Sequence, residues 1–215
     1  MPLSPPVGRQ HLHTRRVTCQ GFFRDDGLWD IEGRITDEKT YEHANEWRGP
    51  LQPGDFVHDM SIRLTLDHKF TIVDVEAVTD KSPYPVCGEV APDFKKLIGL
   101  RIGGGFHREV RKRLGGVHGC THIVELLGPV ATTAFQTVFS RKARDLNRVY
   151  LERTGQASRV DAESKPRGKP YMIDNCHAWA SDGPVVRRWV PDYYTGPDAE
   201  AVRAAAAGKE IEMEG

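Results

Sequence analysis

The sequence has no excess charge of either sign, because 30 lysines and arginines balance 30 aspartates and glutamates in 215 residues. A chain without a net field does not attract polyanions, so neither nucleic acid nor a membrane surface is expected as a partner. The first residues lack the basic and apolar regions of a signal peptide, and no apolar run approaches the roughly 20 residues of a membrane span. We therefore expect a cytoplasmic protein.

Local metal and phosphate motifs are also missing. The four cysteines are dispersed along the chain, unlike the dense frameworks of small secreted domains, and we interpret them as reduced thiols. No C-x-x-C, H-E-x-x-H or glycine-rich phosphate loop occurs. These absences argue against a structural zinc knuckle, and they favour a site that is assembled from distant segments.

The N-terminal half has the alternation of apolar and polar residues that is typical of strands. Residues 15–23 and 28–35 are separated by an Arg-Asp-Asp-Gly turn signal, and residues 57–66 and 70–78 alternate on either side of an Asp-His-Lys turn. The sequence therefore predicts antiparallel strand pairs. The apolar residues expected on one face of the third segment are Met60, Ile62, Leu64 and Leu66.

In the second half the apolar spacing becomes helical. Segments 91–100 and 106–114 repeat at helical intervals. A longer apolar stripe begins at Thr121 and predicts a core helix towards residue 150, which Pro129 should kink or split. The predicted fold class is α+β, with antiparallel strand pairs from the N-terminal half packed on helices from the C-terminal half.

We divide the chain into a core and an appended C-terminal part. Residues 1–150 are expected to form the α+β core. Residues 151–215 are expected to add a mobile loop at 154–170, an aromatic segment and a final helix from Pro197, all packed on the core.

The most distinctive polar segment is Gly-Val-His-Gly-Cys-Thr-His, which places His118, Cys120 and His122 at the entrance of the predicted core helix. Free backbone N–H groups at a helix N-terminus favour a thiolate. A thiolate flanked by imidazoles suits metal ligation or nucleophilic attack. Cysteine is also a common buried residue and histidine often caps or packs, so the spacing alone does not choose between these interpretations.

A metal at this segment needs further ligands from elsewhere in the chain. Thiolate and imidazole donors favour a divalent zinc or iron ion, and otherwise no cofactor is expected. His58 and Asp59 are additional candidates. The ligands predicted for the metal are Cys87, His118, Cys120, His122, Cys176 and His177.

Two other polar groups are candidates for the site. His11 and His13 share one face of an extended segment with Arg15 and are candidates to join it, although a loosely held terminal arm is an equally good interpretation. Asp30 and Glu32 share a strand face as a candidate acid/base pair, but a solvent-facing strand surface explains them better.

Five separated motifs stand at residues 28–33, 58–65, 82–87, 119–127 and 131–136. Together and in this order they resemble a bacterial family with a domain of unknown function, over about residues 10–150. The family's members are often encoded among genes for the catabolism of aromatic and phenylpropanoid compounds, so the resemblance implies a small aromatic substrate. The motifs are Leu-Trp-Asp-Ile-Glu-Gly at 28–33, His-Asp-Met-Ser-Ile-Arg-Leu-Thr at 58–65, Ser-Pro-Tyr-Pro-Val-Cys at 82–87, Gly-Cys-Thr-His-Ile-Val-Glu-Leu-Leu at 119–127 and Ala-Thr-Thr-Ala-Phe-Gln at 131–136.

The chain is also similar, more loosely, to iron–sulfur scaffold proteins of the NifU type. Cys87 and Cys120 occupy places comparable to two of the scaffold's cysteines. The scaffold's middle ligand has no counterpart in its usual loop, and Pro129 interrupts the helix. The resemblance therefore implies a cysteine-rich ligand cluster and not the scaffold function.

The leading hypothesis is an enzyme acting on a small oxygenated aromatic compound derived from phenylpropanoids or lignin. A carbon–carbon or carbon–oxygen lyase that releases a small aldehyde needs a base and an electrophile for the developing oxyanion. His118 or His122 would be the base, and a metal or Arg101 the electrophile. Cys120 is a further catalytic candidate, as a thiol. The aromatic side chains proposed to line a pocket are Tyr171, Trp179, Tyr193 and Tyr194.

The alternative hypothesis is a non-catalytic metal or iron–sulfur binding module with a protein partner. Its ligands would be Cys87, Cys120 and Cys176 with a histidine. Both hypotheses are compatible with a homodimer.

Overall fold

A computed structural model describes residues 3–154, 169–170 and 172–213. The chain divides into two compact units, Met1–Lys142 and Ala143–Gly215. The division expected at residue 150 and the packing of the second part on the core stay predictions. Most of the predicted loop at 154–170, and also Tyr171, lie outside the described residues.

The first unit is built on a four-stranded antiparallel sheet in the order β1-β2-β3-β4. Each strand pairs with the next along the chain, so the predicted strand pairs are confirmed and join into one meander. Gly27 allows the tight turn between the first two strands with a φ of 85°. The strands are β1 (His13–Phe23), β2 (Trp29–Lys39), β3 (Phe56–Leu66) and β4 (Ile72–Lys81).

The sheet is followed first by a 3₁₀ segment, a short α-helix, a 3₁₀ turn and a long α-helix. The predicted helix at 91–100 is instead part of a 3₁₀ segment, Pro85–Leu97, because Pro92 inside it prevents a regular α-helical turn. The predicted helix at 106–114 is confirmed as α1 (Phe106–Leu114), and a short 3₁₀ turn, Gly116–His118, leads into α2 (Thr121–Thr154).

Helix α2 is not split at its internal proline. It continues through Pro129 as one helix. A proline removes a single backbone hydrogen bond, whereas Val130 and Ala134 on the following turns are fully buried in the core. The contacts with the core therefore hold the helix together across the proline.

The core lies between the sheet and α2, which confirms the predicted α+β class. The predicted apolar face of β3 is fully buried. The stretch Thr121–Arg141 of α2 is long and apolar enough to cross a membrane by composition, with a mean hydropathy of 1.2. Its apolar stripe, however, belongs to this core. Members of that stripe are Ile123, Leu126, Leu127, Val130, Ala134 and Val138.

The second unit contains short elements around a small apolar cluster of its own. Ile173, Val186 and Tyr194 are buried there, and Trp179 and Tyr193 pack against them. Three of the aromatic residues predicted to line a pocket thus belong to one cluster. The elements are the 3₁₀ turns His177–Trp179 and Pro191–Tyr193 and the helices α3 (Pro184–Trp189) and α4 (Ala199–Met213).

Helix α2 can approach the sheet closely because two strand residues that face it are glycines. A Cβ atom added to Gly33 would lie 2.6 Å from Cγ2 of Val130, and one added to Gly21 would collide with the Thr137 side chain. Both contacts are closer than atoms can pack. These glycines therefore set the separation of α2 from the sheet.

We expect Gly33→Ala to lower the free energy of unfolding by about 1–3 kcal/mol, because a β-branched core side chain cannot move aside cheaply. Urea denaturation measures this change. Gly104→Ala is the matched control, since nothing lies within 4 Å of its added Cβ. Equal stability of the two variants would contradict the role given to Gly33.

Candidate functional site

A row of polar side chains crosses three strands at one end of the sheet. The strand register places Arg15 of β1 opposite Asp37 of β2, and Asp37 opposite His58 of β3. Alternation puts all three on the inner face, because Ile35 and Met60, two positions away on β2 and β3, are core residues. The row therefore continues the apolar core with polar groups.

Asp37 is the centre of this row and is only 1% exposed. Arg15 donates to both carboxylate oxygens, from Nε to Oδ1 and from Nη2 to Oδ2, each at 2.8 Å. Nε2 of His13 lies 3.1 Å from Oδ1, and Nδ1 of His58 lies 3.0 Å from Oδ2. A buried charge is tolerated only when it is paired and hydrogen-bonded, and this one is.

The environment of Asp37 keeps it ionised. Burial by itself would raise the pKa of the Asp37 carboxyl. The hydrogen bonds and charge of Arg15, together with His58 and His13, outweigh burial and hold that pKa below its ordinary value. Asp37 is therefore a carboxylate throughout the physiological pH range.

Helix α2 brings a second histidine to the carboxylate. His122 is the second residue of α2, and its ring stacks on that of His58 with 3.8 Å between centroids. Its Nε2 lies 3.8 Å from Oδ2 of Asp37. Glu125, almost one turn further along α2, accepts a 2.6 Å hydrogen bond from Nη1 of Arg15. We call Asp37, His58 and His122 the Asp–His–His cluster.

Both imidazoles of the cluster have a lowered pKa. Burial is the main cause for His58, followed by repulsion from His122, and both outweigh the attraction of Asp37. For His122 burial is again the main cause, followed by repulsion from Arg15. The two rings are therefore neutral at pH 7, and each keeps a nitrogen lone pair for a proton or a metal.

The cluster could hold a metal ion. One ligand atom from each of its residues lies within 4.8 Å of the others. Two ligand atoms that are each about 2.0–2.1 Å from a tetrahedral ion lie roughly 3.3 Å from each other. Oδ2 of Asp37 is 3.0 Å from Nδ1 of His58, slightly closer than this distance, and 3.8 Å from Nε2 of His122, slightly further. Two imidazoles and one carboxylate are also a donor set that zinc and iron accept.

The predicted segment at the helix entrance contributes one residue to the cluster. His122 belongs to it, whereas the Cys120 sulfur lies beside it, 3.5 Å from Sδ of Met60 and 3.9 Å from Nδ1 of His122. His118 is exposed in its 3₁₀ turn. Of the six predicted metal ligands, His122 is the one found in the three-ligand group identified among the described residues.

Arg101 lies far from the cluster. Arg101 forms a β-bridge with Thr71 and donates a hydrogen bond to the carbonyl of Lys69. Both contacts lie beyond the C-terminal end of β3, whereas His58 is near its N-terminal end. At about 3.3 Å per residue along the strand, Arg101 is therefore roughly 25 Å from His58. The arginine at the cluster is thus Arg15 and not Arg101. Cys87 is half-buried in the 3₁₀ segment Pro85–Leu97.

Cys176 and His177 belong to the second unit, where Cys176 is exposed and His177 opens a 3₁₀ turn. Their predicted part in a metal site, and a shared ion between Cys87 and Cys120, stay predictions.

The two N-terminal histidines that were candidates to join the site are placed differently. His13 contacts Asp37, as does its strand neighbour Arg15, while His11 lies within hydrogen-bond distance of Thr14 and the His13 carbonyl. The other candidate carboxylates, Asp30 and Glu32, are paired away from this site. Asp30 accepts from Thr65 and Arg24, and Glu32 accepts from Arg63, on the outer face of the sheet.

Asp37 is the central residue of the candidate site, and sequence reasoning missed it. The predicted strand ended at residue 35, but the inward alternation of Ile31, Gly33 and Ile35 continues to Asp37. A carboxylate in phase with an apolar strand face must be buried and paired. His58 carried the same signal, since it is in phase with Met60 on β3.

A family model described as "Protein of unknown function (DUF2889)" matches residues 13–136 of the chain. The matched range begins with β1 and ends within α2, so it contains the whole Asp–His–His cluster and Arg15. None of the curated proteins and none of the solved structures matches the chain.

The lowered pKa values of His58 and His122 make stability depend on pH. An unfolded imidazole takes up a proton below about pH 6.5, whereas these folded rings stay neutral to lower pH. Unfolding then consumes protons, so we expect the free energy of unfolding to fall as the pH drops from about 7 to about 5. Urea denaturation across this range measures the slope.

His122→Gln should make this slope shallower, because it removes one of the two groups. His68→Gln, at an exposed turn position, should keep the wild-type slope. An unchanged slope in His122→Gln would show that the ring titrates normally in the folded protein.

Proposed function

The chain belongs to the DUF2889 family of proteins of unknown function, and from its Asp–His–His cluster we propose that it is an enzyme, a lyase that releases a small aldehyde from a small oxygenated aromatic compound. The observation that carries the proposal is that two partly buried imidazoles, His58 and His122, meet one buried, fully paired carboxylate. The aromatic substrate class is supported by the resemblance of the five sequence motifs.

His58 is suited to act as the base. Its Nδ1 lies 3.0 Å from Oδ2 of Asp37, so the proton sits on Nδ1 and the lone pair on Nε2. A carboxylate in this position orients the ring and stabilises the imidazolium that forms when the ring takes a proton. His122, stacked on His58, is a second neutral ring for the return of that proton.

The reaction proposed needs only proton transfers from the protein. An imidazole takes the proton of a substrate hydroxyl group, and the O–H electron pair forms the carbonyl of the departing aldehyde. The carbon–carbon bond breaks, and its electron pair stays on the aromatic fragment, which then accepts a proton from the imidazolium. A general base placed in this way typically contributes about 10²–10⁴-fold in rate.

In a second, metal-assisted form of the proposal, the cluster instead binds one divalent ion, zinc or iron, through Asp37, His58 and His122. A bound ion would supply positive charge for an oxyanion that develops on the substrate. His58 Nδ1 cannot donate to Asp37 and ligate a metal at once, so the acid–base and metal-assisted forms of the proposal are distinct.

The alternative function is a non-catalytic metal-binding module. The low exposure of the two histidine side chains, 16% for His58 and 24% for His122, favours it, because a structural site needs little access. The donors of the cluster are nitrogen and oxygen atoms, so this alternative would take zinc and not an iron–sulfur cluster.

Metal analysis tests the ligand assignment. Protein purified without chelator should contain about one zinc or iron per chain, and His122→Ala should lower the affinity at least tenfold because a three-ligand site loses one donor. His68→Ala should keep the wild-type metal content. Metal below stoichiometric level in the wild type, or full content in His122→Ala, would rule out this metal site.

Aldehyde release tests the reaction. A panel of lignin-derived monomers and dimers, assayed for formaldehyde and other small aldehydes, should reveal a substrate, and His58→Gln should lower kcat by about 10²-fold or more. His68→Gln should turn over at the wild-type rate. An intact metal site without turnover of any compound in the panel would instead support the binding module.

A further inference from the structure

One nitrogen of the Arg15 guanidinium is not bonded to the buried carboxylate. Nε and Nη2 bind Asp37, while Nη1 donates to Oε2 of Glu125 at 2.6 Å. The two partners differ in environment, because the Asp37 side chain is 1% exposed and that of Glu125 is 52% exposed. Exposed ion pairs contribute only about 0–1 kcal/mol, so Glu125 is the partner that another anion can displace.

The position of Glu125 shows that Nη1 of Arg15 lies close to the Asp–His–His cluster. Glu125 lies three residues after His122 on α2, and residues so spaced share a helix face. The same guanidinium that meets Glu125 also holds Asp37, the carboxylate of the cluster. An anion bound at Nη1 in place of Glu125 would therefore lie beside His58 and His122.

We propose that Arg15 Nη1 is the binding point for a carboxylate group of the substrate, and that Glu125 occupies this point in the free protein as an internal competitor. This inference rests on the proposed function, since it names a chemical group of the substrate for the same site. The group already seated on Nη1 is a carboxylate, which is why a carboxylate is assigned. Arg15 binds and positions the substrate, and Glu125 sets the affinity.

A matched pair of variants tests this assignment. Glu125→Gln removes the competitor, whereas Glu38→Gln breaks an ion pair of the same 2.6 Å length, Arg16–Glu38, on the opposite face of the sheet. Both variants change the net charge equally. If the change in net charge alone raised the affinity for anions, both variants would bind anions more tightly. If the removal of the competitor at Arg15 is the cause, only Glu125→Gln would do so.

The probes are benzoate and its neutral analogue benzamide, titrated into the full-length protein by calorimetry or ligand-detected NMR. We expect Glu125→Gln to bind benzoate about two- to fivefold more tightly than the wild type, as expected when a surface ion pair no longer competes. Benzamide binding should be unchanged, and Glu38→Gln should match the wild type with both probes.

The inference would be overturned if benzoate did not bind, or if the wild type and Glu125→Gln bound it with equal affinity. It would also be overturned if Glu125→Gln gained as much affinity for benzamide as for benzoate, or if Glu38→Gln gained as much affinity for benzoate as Glu125→Gln. The titration is repeated after chelator treatment, so that its outcome does not depend on a metal or on turnover. Absence of metal and of aldehyde release together with the expected benzoate pattern would refute the proposed function alone. Aldehyde release by the wild type without the expected benzoate pattern would refute the carboxylate assignment alone.

Discussion

The ion pair between Asp37 and Arg15 is the interaction on which the rest of the site depends. A carboxylate that is 1% exposed is costly unless every oxygen is bonded, and a forked guanidinium bonds both at once. Because the partners come from β1 and β2, and Glu125 from α2 meets the same guanidinium, one residue connects three elements. His58 completes the row and thereby acquires a fixed orientation next to a permanent negative charge.

The separation of α2 from the sheet is the second constraint. Gly33 and Gly21 allow the helix to lie against the strands, and the buried stripe from Ile123 to Val138 keeps it there through Pro129. The first turn of the helix consequently places His122 over His58, with ring centroids 3.8 Å apart. Burial is the main cause of the lowered pKa of both imidazoles, and repulsion from His122 adds to it at His58 and repulsion from Arg15 at His122, which keeps the rings neutral for acid–base or ligand chemistry.

Two cysteines of the first unit, Cys19 and Cys120, pack against the core. Cys120 lies at the border of the core, with its sulfur beside Met60 and the His122 ring, so it is a packing neighbour of the cluster in the described structure. Cys19 is also partly buried against the core, and burial raises the pKa of its thiol. Nitrogen and oxygen atoms, not sulfur, form the three-ligand group among the described residues.

Local periodicity in the sequence determined the strand pairs, helices α1 and α2, the buried face of β3 and the position of His122 at the start of α2, because alternation and helical spacing are properties of neighbouring residues. His13 and Arg15 were correctly placed on one strand face for the same reason. Asp37 was missed, and Arg101 was preferred to Arg15, because which charges meet is decided by cross-strand register and by the approach of a distant helix. Only the tertiary structure joins residues 15, 37, 58 and 122, since each lies on a different element and no local pattern records their pairing.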